Sequence, residues 1–124
     1  MRGEIFPVPG GRFEGERLSG VVLEGGSDWQ EVREDAVILD VRLTLKTDDG
    51  AMIGMKYWGI RHASTQVLAS LDRGERVSPA DYYFRTTPSF ETAAPQYDWL
   101  NRIVAVGIGD RRADGLVYSI FEVL

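Results

Sequence analysis

The chain has 124 residues and a formal net charge of −5 at neutral pH, which is enough for one domain with its own core and too little for two. Hydrophobic residues make up 44% of the chain and charged residues 27%, as in ordinary soluble globular proteins. The negative net charge argues against nucleic acid or an anionic membrane as a partner.

The counts of metal-binding and redox residues are very low. The chain contains no cysteine, and its only histidine is His62. Disulfides, thiolate metal sites and zinc sites with two imidazoles are therefore excluded, and we expect neither a metal nor a cofactor. No run of about 18 apolar residues occurs and the N-terminus lacks an apolar signal segment, so the expected location is the cytoplasm.

Alternating apolar and polar residues predict an all-β domain that is continuous from near Met1 to Leu124. The clearest strand is Ala36 to Lys46, in which every second residue is apolar. The Asp49-Gly50 pair predicts a tight primed turn, after which Ala51 to Arg61 pairs back antiparallel. Further strands are predicted at Leu18 to Leu23, Tyr82 to Glu91, Arg102 to Ile108 and Leu116 to Val123.

One helix interrupts the predicted strands. Ser64 or Thr65 is expected to cap its N-terminus, and Gly74 stands where a helix commonly ends. A short helical turn is also expected after Pro95. These elements are too few to cover both faces of a large sheet.

The predicted strands follow one another as hairpins, and the polar segment Gly109 to Gly115 is expected to be the last turn. Because only one helix is available and closure removes exposed strand edges, the favoured fold is an antiparallel meander that closes into a β-barrel. Alternation shows which residues share a face of the sheet. It leaves open which face lines the interior.

Asp28 and His62 are the candidate catalytic residues. Asp28 follows two glycines and is either a general base at the barrel mouth or the acceptor of a local turn. Its neighbour Trp29 is either a stacking wall for a ligand or a plug of the barrel. His62 is either an acid or base of a small enzyme or an ordinary surface residue.

Asp40, Arg42 and Arg61 are candidate ligand-binding residues. Asp40 and Arg42 share a strand face, and Arg61 ends the neighbouring strand. The three side chains are therefore expected to meet across the strands. Such a cluster either binds a ligand carboxylate or consists of ion pairs among its own members.

Two aromatic segments supply the other candidate ligand-binding residues, Tyr83, Arg85, Trp99 and Asn101. Tyr83 and Arg85 share a face opposite Phe84. An inward Arg85 needs a carboxylate partner, because an unpaired buried guanidinium is costly, whereas an outward Arg85 would join a surface ion pair. Trp99 and Asn101 suit either a hydrophobic closure of the barrel or a pocket for a planar ligand.

Nine segments of the chain occur in an order and spacing that we associate with one protein family. They are Gly10 to Gly15, Gly20 to Val22, Gly25 to Gln30, Leu39 to Arg42, Thr47 to Ala51, Gly59 to His62, Tyr82 to Thr86, Phe90 to Thr92 and Tyr97 to Asn101. In these segments the chain resembles the uncharacterised bacterial and fungal family called domain of unknown function 3237. The resemblance implies a calycin-like antiparallel β-barrel and no settled activity.

The same resemblance implies an oligomer. Members of the family are expected to have roughly two dozen further N-terminal residues that include a first strand. Without that strand one edge of the barrel is open, and an open edge favours pairing with another chain. We therefore predict a homo-oligomer.

Three functions remain open from the sequence. The first is a small-molecule-binding barrel whose arginines hold a planar or aromatic carboxylate and whose aromatic residues surround the ring. The second is a cofactor-independent isomerase, dehydratase or cyclase in which Asp28 or His62 moves a proton. The third is a structural or interaction module whose charged residues pair only with one another.

Overall fold

A computed structural model describes residues 2–112 and 115–124, without the side chains of residues 2 and 5–7. These residues form nine β-strands, one α-helix and two 3₁₀ segments, Pro79–Asp81 and Pro95–Arg102. The helix α1 is Thr65–Asp72. The strands are β1 Arg2–Pro7, β2 Gly11–Glu14, β3 Ser19–Val22, β4 Ser27–Val32, β5 Ala36–Thr47, β6 Met52–His62, β7 Tyr83–Glu91, β8 Val104–Arg112 and β9 Gly115–Val123.

The strands form a single antiparallel sheet in the order β1-β4-β5-β6-β7-β8-β9. Strand β5 is long because it pairs with two strands along one edge. Its residues 37–42 pair with β4 and its residues 45–47 with β3, which in turn pairs with β2. The all-β class and the meander from β4 to β9 are thereby confirmed.

The sheet is open, which corrects the predicted closure into a barrel. Strands β1 and β9 end the sheet, and in the described part of the chain they pair with β4 and β8 only. Closure would need β1 and β9 to pair with each other, or both to pair with one further strand between them. Neither pairing occurs among the described residues.

One face of the sheet carries the hydrophobic core, and we call it the inner face. In β6 every second residue is buried, as expected for a strand with one covered face. Helix α1 packs on this face through Leu71, and the 3₁₀ segment Pro95–Arg102 through Tyr97 and Leu100. Buried core residues on the strands include Val37, Leu39, Val41, Leu45, Ile53, Met55, Tyr57 and Phe84.

The β5–β6 connection differs in detail from the predicted primed turn. Gly50 is the one residue there with a positive φ, 90°, whereas a type I′ turn needs two. The amide of Gly50 donates to the carbonyl of Thr47, and the amide of Thr47 donates to the carbonyl of Ala51. A glycine next to a turn in this way is typical of hairpins with a glycine bulge.

The predicted helix is confirmed, because Ser64 Oγ accepts a hydrogen bond from the amide of Val67 at the N-terminus of α1. The helical turn after Pro95 is also present. The predicted turn Gly109 to Gly115 is wrong over 109–112, which belong to β8, and at Gly115, which begins β9. Its remaining positions 113 and 114 lie outside the described residues.

Strands β1, β2 and β4 were not predicted. In β4 the reason is visible, because its inward residues include Asp28 and Gln30. A strand that turns polar residues inward does not show the apolar alternation used to find strands. The same two residues prove to belong to the candidate site.

Candidate functional site

Strand β6 turns Tyr57 and Arg61 towards the inner face. The hairpin register places Tyr57 opposite Val41 and Arg61 opposite Val37, and both partners belong to the buried core. Residues opposite each other in a ladder share a face of the sheet. Each of the two polar side chains is consequently buried, with 6% of Arg61 exposed.

Strand β4 contributes Asp28 from across β5. Asp28 also lies opposite Val41 and is half-buried. Its Oδ2 atom accepts a hydrogen bond of 3.0 Å from Gln30 Nε2. Its Oδ1 atom is buried and has no hydrogen-bond partner among the described residues.

Strands β8 and β9 contribute Arg111 and Tyr118. The Tyr118 hydroxyl lies 3.0 Å from the Tyr57 hydroxyl, and its ring packs edge-on against the rings of Tyr57 and Phe84. Arg111 Nη1 is buried, lies 3.6 Å from Asp72 Oδ1 and makes no hydrogen bond with a described residue. We call Asp28, Tyr57, Arg61, Arg111 and Tyr118 the inner polar cluster.

The inner polar cluster contains unsatisfied hydrogen-bonding groups. Within the described part of the chain, three buried side-chain polar atoms have no hydrogen-bond partner: Asp28 Oδ1, Arg61 Nε and Arg111 Nη1. Most buried polar atoms in folded proteins are paired, and each unpaired one needs an explanation. Three such atoms in one cluster make it a candidate functional site.

Burial shifts the pKa values of the cluster. It raises the pKa of Asp28, although the hydrogen bond from Gln30 and the charge of Arg61 oppose that shift. It lowers the pKa of Arg61, and the like charge of Arg111 adds to the effect, but a guanidinium keeps its proton at neutral pH. Burial also raises the pKa of Tyr57 to about 12 and the pKa of Tyr118 further. Both tyrosines are therefore neutral.

Charged and aromatic groups meet in the cluster. It combines two guanidinium groups with one carboxylate, and Asp72, beside Arg111, is mostly exposed. Phe84 is 1% exposed, and Arg61 Cζ lies 5.6 Å from the centre of its ring. Guanidinium groups bind carboxylates in a planar, two-pronged geometry.

The expected cluster of Asp40, Arg42 and Arg61 is wrong. Asp40 and Arg42 are exposed and lie opposite Trp58 and Lys56 of β6. Arg61 has the opposite parity in the hairpin and points to the inner face. The charged groups are therefore separated by the sheet, and Arg61 faces the inner polar cluster instead.

Four further predicted residues lie on the outer face. Trp29 is 54% exposed and lies opposite Asp40. Tyr83 is exposed, and the Arg85 guanidinium lies 4.8 Å from its ring while Nη1 donates to the Phe84 carbonyl. His62 Nδ1 lies 2.9 Å from the carbonyl oxygen of Asp35. Asp28 and His62, the two candidate catalytic residues, are thus on opposite faces.

His62, Tyr83 and Arg85 line an open depression of about 680 Å³ on the outer face. Its lining contains none of the three buried polar atoms without a hydrogen-bond partner. A wide and shallow surface with satisfied groups gives weaker evidence for a site than buried unsatisfied groups do. The inner polar cluster is therefore the stronger candidate.

Trp99 and Asn101 hold the 3₁₀ segment Pro95–Arg102 in place. The Arg17 guanidinium stacks 3.5 Å from the centre of the Trp99 ring. Asn101 accepts a hydrogen bond from the amide of Thr92 and donates one to its carbonyl. These contacts give both residues structural roles at the covered end of the sheet.

The sequence did not predict Tyr57, Arg111 and Tyr118 as site residues. A signal for Tyr57 was present, because the register set by the Asp49-Gly50 turn places it on the apolar face of β5. Arg111 lay inside the predicted turn, so no face could be assigned to it. Tyr118 lies in a correctly predicted strand whose two faces are both apolar in sequence, which left its direction open.

The described residues contain neither a metal-binding group nor a membrane-spanning helix. No group of three or more histidine, aspartate or glutamate residues there is arranged to hold a metal ion. No helix among them has the length and apolar character needed to cross a membrane.

Comparison with known proteins identifies relatives along nearly the whole chain. The model of the family described as Protein of unknown function (DUF3237) matches residues 2–123. The UPF0311 protein RPA1785 of Rhodopseudomonas palustris is 42% identical over 97% of this chain and 79% of the relative. The UPF0311 protein CA_C3321 of Clostridium acetobutylicum is 34% identical over 98% and 78%.

Two solved structures are similar to this chain in both sequence and fold. The crystal structure of RPA1785, titled a conserved protein of unknown function, matches with a TM-score of 0.92 and 41% identity over 97% of this chain and 81% of that one. A structure titled a beta-barrel like protein from Acinetobacter baumannii AYE matches with a TM-score of 0.80 and 44% identity over 95% and 76%. On both sequence and structure, the chain belongs to the DUF3237 family of proteins of unknown function.

Proposed function

We propose that the protein binds a small planar or aromatic carboxylate on the inner face of its sheet. The observation that carries this proposal is the group of three buried atoms without hydrogen-bond partners, Asp28 Oδ1, Arg61 Nε and Arg111 Nη1. A buried polar group left unpaired costs about 1–3 kcal/mol. A ligand that pairs with these atoms recovers that cost on binding.

The charges and rings of the inner polar cluster define the ligand class. Arg61 and Arg111 face the half-buried carboxylate of Asp28, and their other acidic neighbour, Asp72, is mostly exposed. The more buried part of the cluster therefore carries more positive than negative charge, which favours an anionic ligand. The free oxygen of Asp28 accepts a hydrogen bond, so a hydroxyl on the ligand suits it. The rings of Tyr57, Phe84 and Tyr118 pack well against a flat ring. A hydroxylated aromatic acid combines these properties.

Native mass spectrometry of freshly purified protein is the first experiment. Intact complexes are dissociated in the instrument, and the expected result is a small acid released from each loaded chain. The stripped protein is then titrated calorimetrically with 4-hydroxybenzoate as the probe and with 4-hydroxybenzyl alcohol as its uncharged counterpart. Binding of the alcohol as tightly as the acid would contradict the proposed role of the arginines.

Arg61→Met tests the site itself. A hydrogen bond to a charged group contributes about 1.5–3 kcal/mol, so affinity for 4-hydroxybenzoate should fall about 10- to 100-fold. Methionine keeps a flexible apolar chain at the buried position, and circular dichroism checks that the variant folds. Arg85→Met on the outer face is the matched control and should bind normally. Equal losses in both variants would reject the inner site.

A second candidate function is proton transfer to the bound molecule, as in a cofactor-independent isomerase, dehydratase or cyclase. It is favoured by Asp28, whose Oδ1 atom is free to meet a ligand and whose pKa is raised by burial, a change that suits a general acid or base at neutral pH. The test is the exchange of carbon-bound protons of the ligand with D₂O, which NMR follows. Exchange should be lost in Asp28→Asn and kept in the control His62→Gln. Exchange that survives Asp28→Asn would remove Asp28 from the reaction.

A further inference from the structure

Strand β9 ends the sheet with an unusually apolar surface. In the described part of the chain its outer edge pairs with no strand, so its outward amides and carbonyls are available to another chain. Phe121 and Val123 are each more than half exposed. Other exposed apolar residues of the strand are Leu116, Val117 and Ile120.

The exposed residues of β9 lie on both of its faces. Phe121 lies opposite Val106 of β8, on the outer face, whereas Ile120 lies opposite Gly107, on the inner face. Edge strands are usually protected by charges, prolines or bulges that discourage pairing. The sequence of β9 contains one charged residue, Glu122, and no proline. The edge is therefore long, apolar and unprotected.

We propose that β9 pairs antiparallel with β9 of a second copy of this chain, so that two sheets join across a two-fold axis. A free strand edge needs an extended partner, and two apolar faces need a partner strand that is apolar on both faces and uncharged at its centre. Strand β9 meets both requirements itself. A two-fold antiparallel pair is also self-complementary, since each copy offers the same surface.

The other free edge fits this partner less well. Strand β1 contains the charged residues Arg2 and Glu4 and ends at Pro7, which has no amide hydrogen to donate. An acidic chain with net charge −5 repels its own copies, so contact is least costly where charges are few. Of the two end strands, β9 contains one charged residue and the shorter β1 contains two.

If the two copies of β9 overlap along their full length, Ser119 lies at the two-fold axis. Residues of the same parity then face each other, so Val117 lies opposite Phe121 of the partner subunit and both remain on the outer face. At about 3.4 Å per residue, nine residues form a ladder of about 30 Å. Because Tyr118 of the inner polar cluster lies on β9, the partner strand would also hold one wall of the candidate site.

Analytical ultracentrifugation of residues 1–124 over a hundredfold range of concentration tests the interface. We expect a monomer–dimer equilibrium that Phe121→Lys weakens by about tenfold or more. Met52→Lys is the matched control, because Met52 is also about half exposed but lies at the start of β6. Circular dichroism checks that both variants fold. A monomeric wild-type protein, or equal weakening in both variants, would overturn the proposal.

A cross-link tests the register. The chain has no cysteine, so Ser119→Cys introduces a single thiol that meets its own copy at the proposed two-fold axis, within reach of a disulfide. Mild oxidation should give a covalent dimer. Ser89→Cys, at an exposed position of β7, should cross-link only at the slow rate of random collision. Similar rates for the two variants would reject β9 pairing even if the protein is dimeric.

Discussion

The two ends of the inner face differ in how completely their polar groups are paired. At the end covered by the 3₁₀ segment Pro95–Arg102, Tyr97 donates a hydrogen bond of 2.9 Å to Asp49. Thr47 donates to the same carboxylate, and Ile53 beneath it is completely buried. At the other end, the inner polar cluster leaves three buried atoms without hydrogen-bond partners in the described part of the chain.

The covered end contains groups that stabilise the fold, whereas the other end contains the groups proposed to bind a ligand. Both ends lie on the same strands and obey the same alternation, so secondary structure does not distinguish them. The covered end gains stability from burial and satisfied hydrogen bonds. The cluster gives up stability, since burying unpaired polar groups is unfavourable. A role in packing does not explain that cost, and this is the reason for proposing a binding site there.

Ile53→Ala should have the largest effect on stability and Arg61→Met almost none. Truncating a completely buried isoleucine costs about 2–5 kcal/mol. Arg61→Met removes the desolvation cost of a buried guanidinium together with its attraction to Asp28 and Asp72, and these two effects have opposite signs. Urea denaturation monitored by tryptophan fluorescence measures both free energies of unfolding. A loss for Arg61→Met as large as that for Ile53→Ala would show that Arg61 stabilises the core, and the two ends would no longer differ.

Gly109→Ala should have an intermediate effect, because it disturbs the wall of the cluster. A Cβ at Gly109 would lie 2.7 Å from the Phe84 ring, and overpacking of this kind typically costs about 1–3 kcal/mol. Gly54→Ala is the matched control on β6, since its Cβ would lie 3.6 Å from the Glu91 carbonyl oxygen, an ordinary van der Waals distance. Thermal denaturation of both variants decides the point. Equal melting temperatures would mean that the Phe84 ring makes room for the added methyl group without loss of stability.

Tyr118→Phe should have a smaller effect on stability. It removes the hydroxyl that lies 3.0 Å from the Tyr57 hydroxyl, and one neutral hydrogen bond contributes about 0.5–1.5 kcal/mol. Tyr83→Phe on the outer face is the control and should leave stability unchanged. Chemical denaturation compares the two. If Tyr118→Phe is as stable as the wild type, the pair of hydroxyls serves the ligand and not the fold.

Two aspartates should respond to pH with opposite signs. Burial raises the pKa of Asp28, so its ionised form costs stability at neutral pH, and the cost disappears as the pH falls through the raised pKa. Hydrogen bonds from Thr47 and Tyr97 lower the pKa of Asp49. Its ionised form therefore adds stability above the ordinary aspartate range, and this is lost only as the pH falls through the lowered pKa.

The expected outcome is a gain in stability for Asp28→Asn and a loss for Asp49→Asn at neutral pH. On acidification the Asp28→Asn difference should vanish first, because the raised pKa is reached before the lowered one. Urea titrations at several pH values measure both differences. Changes of the same sign in the two variants would contradict the distinction between the ends of the inner face.

Several features were predictable because they depend on neighbours in sequence. Alternation identified β5, β6 and β7, and Ser64 and Gly74 marked the ends of the helical region. Cysteine and histidine counts excluded whole classes of metal site. Asp28 and Arg61 were recognised as candidates, since an acid after two glycines and an arginine within a strand are conspicuous in one dimension.

The composition of the inner polar cluster depended on the tertiary structure. Parity places Tyr57 with Arg61, but which face is buried is decided by what packs on it, here α1 and the 3₁₀ segment. Arg111 and Tyr118 reach the cluster through the β7–β8 and β8–β9 pairings, more than fifty residues along the chain from Asp28 and Tyr57. The open edge of β9 is likewise a property of the whole sheet. Local sequence determined those strands whose residues alternate between apolar and polar. Long-range pairing determined which side chains meet, because contacts between distant strands leave no periodic signal in the chain.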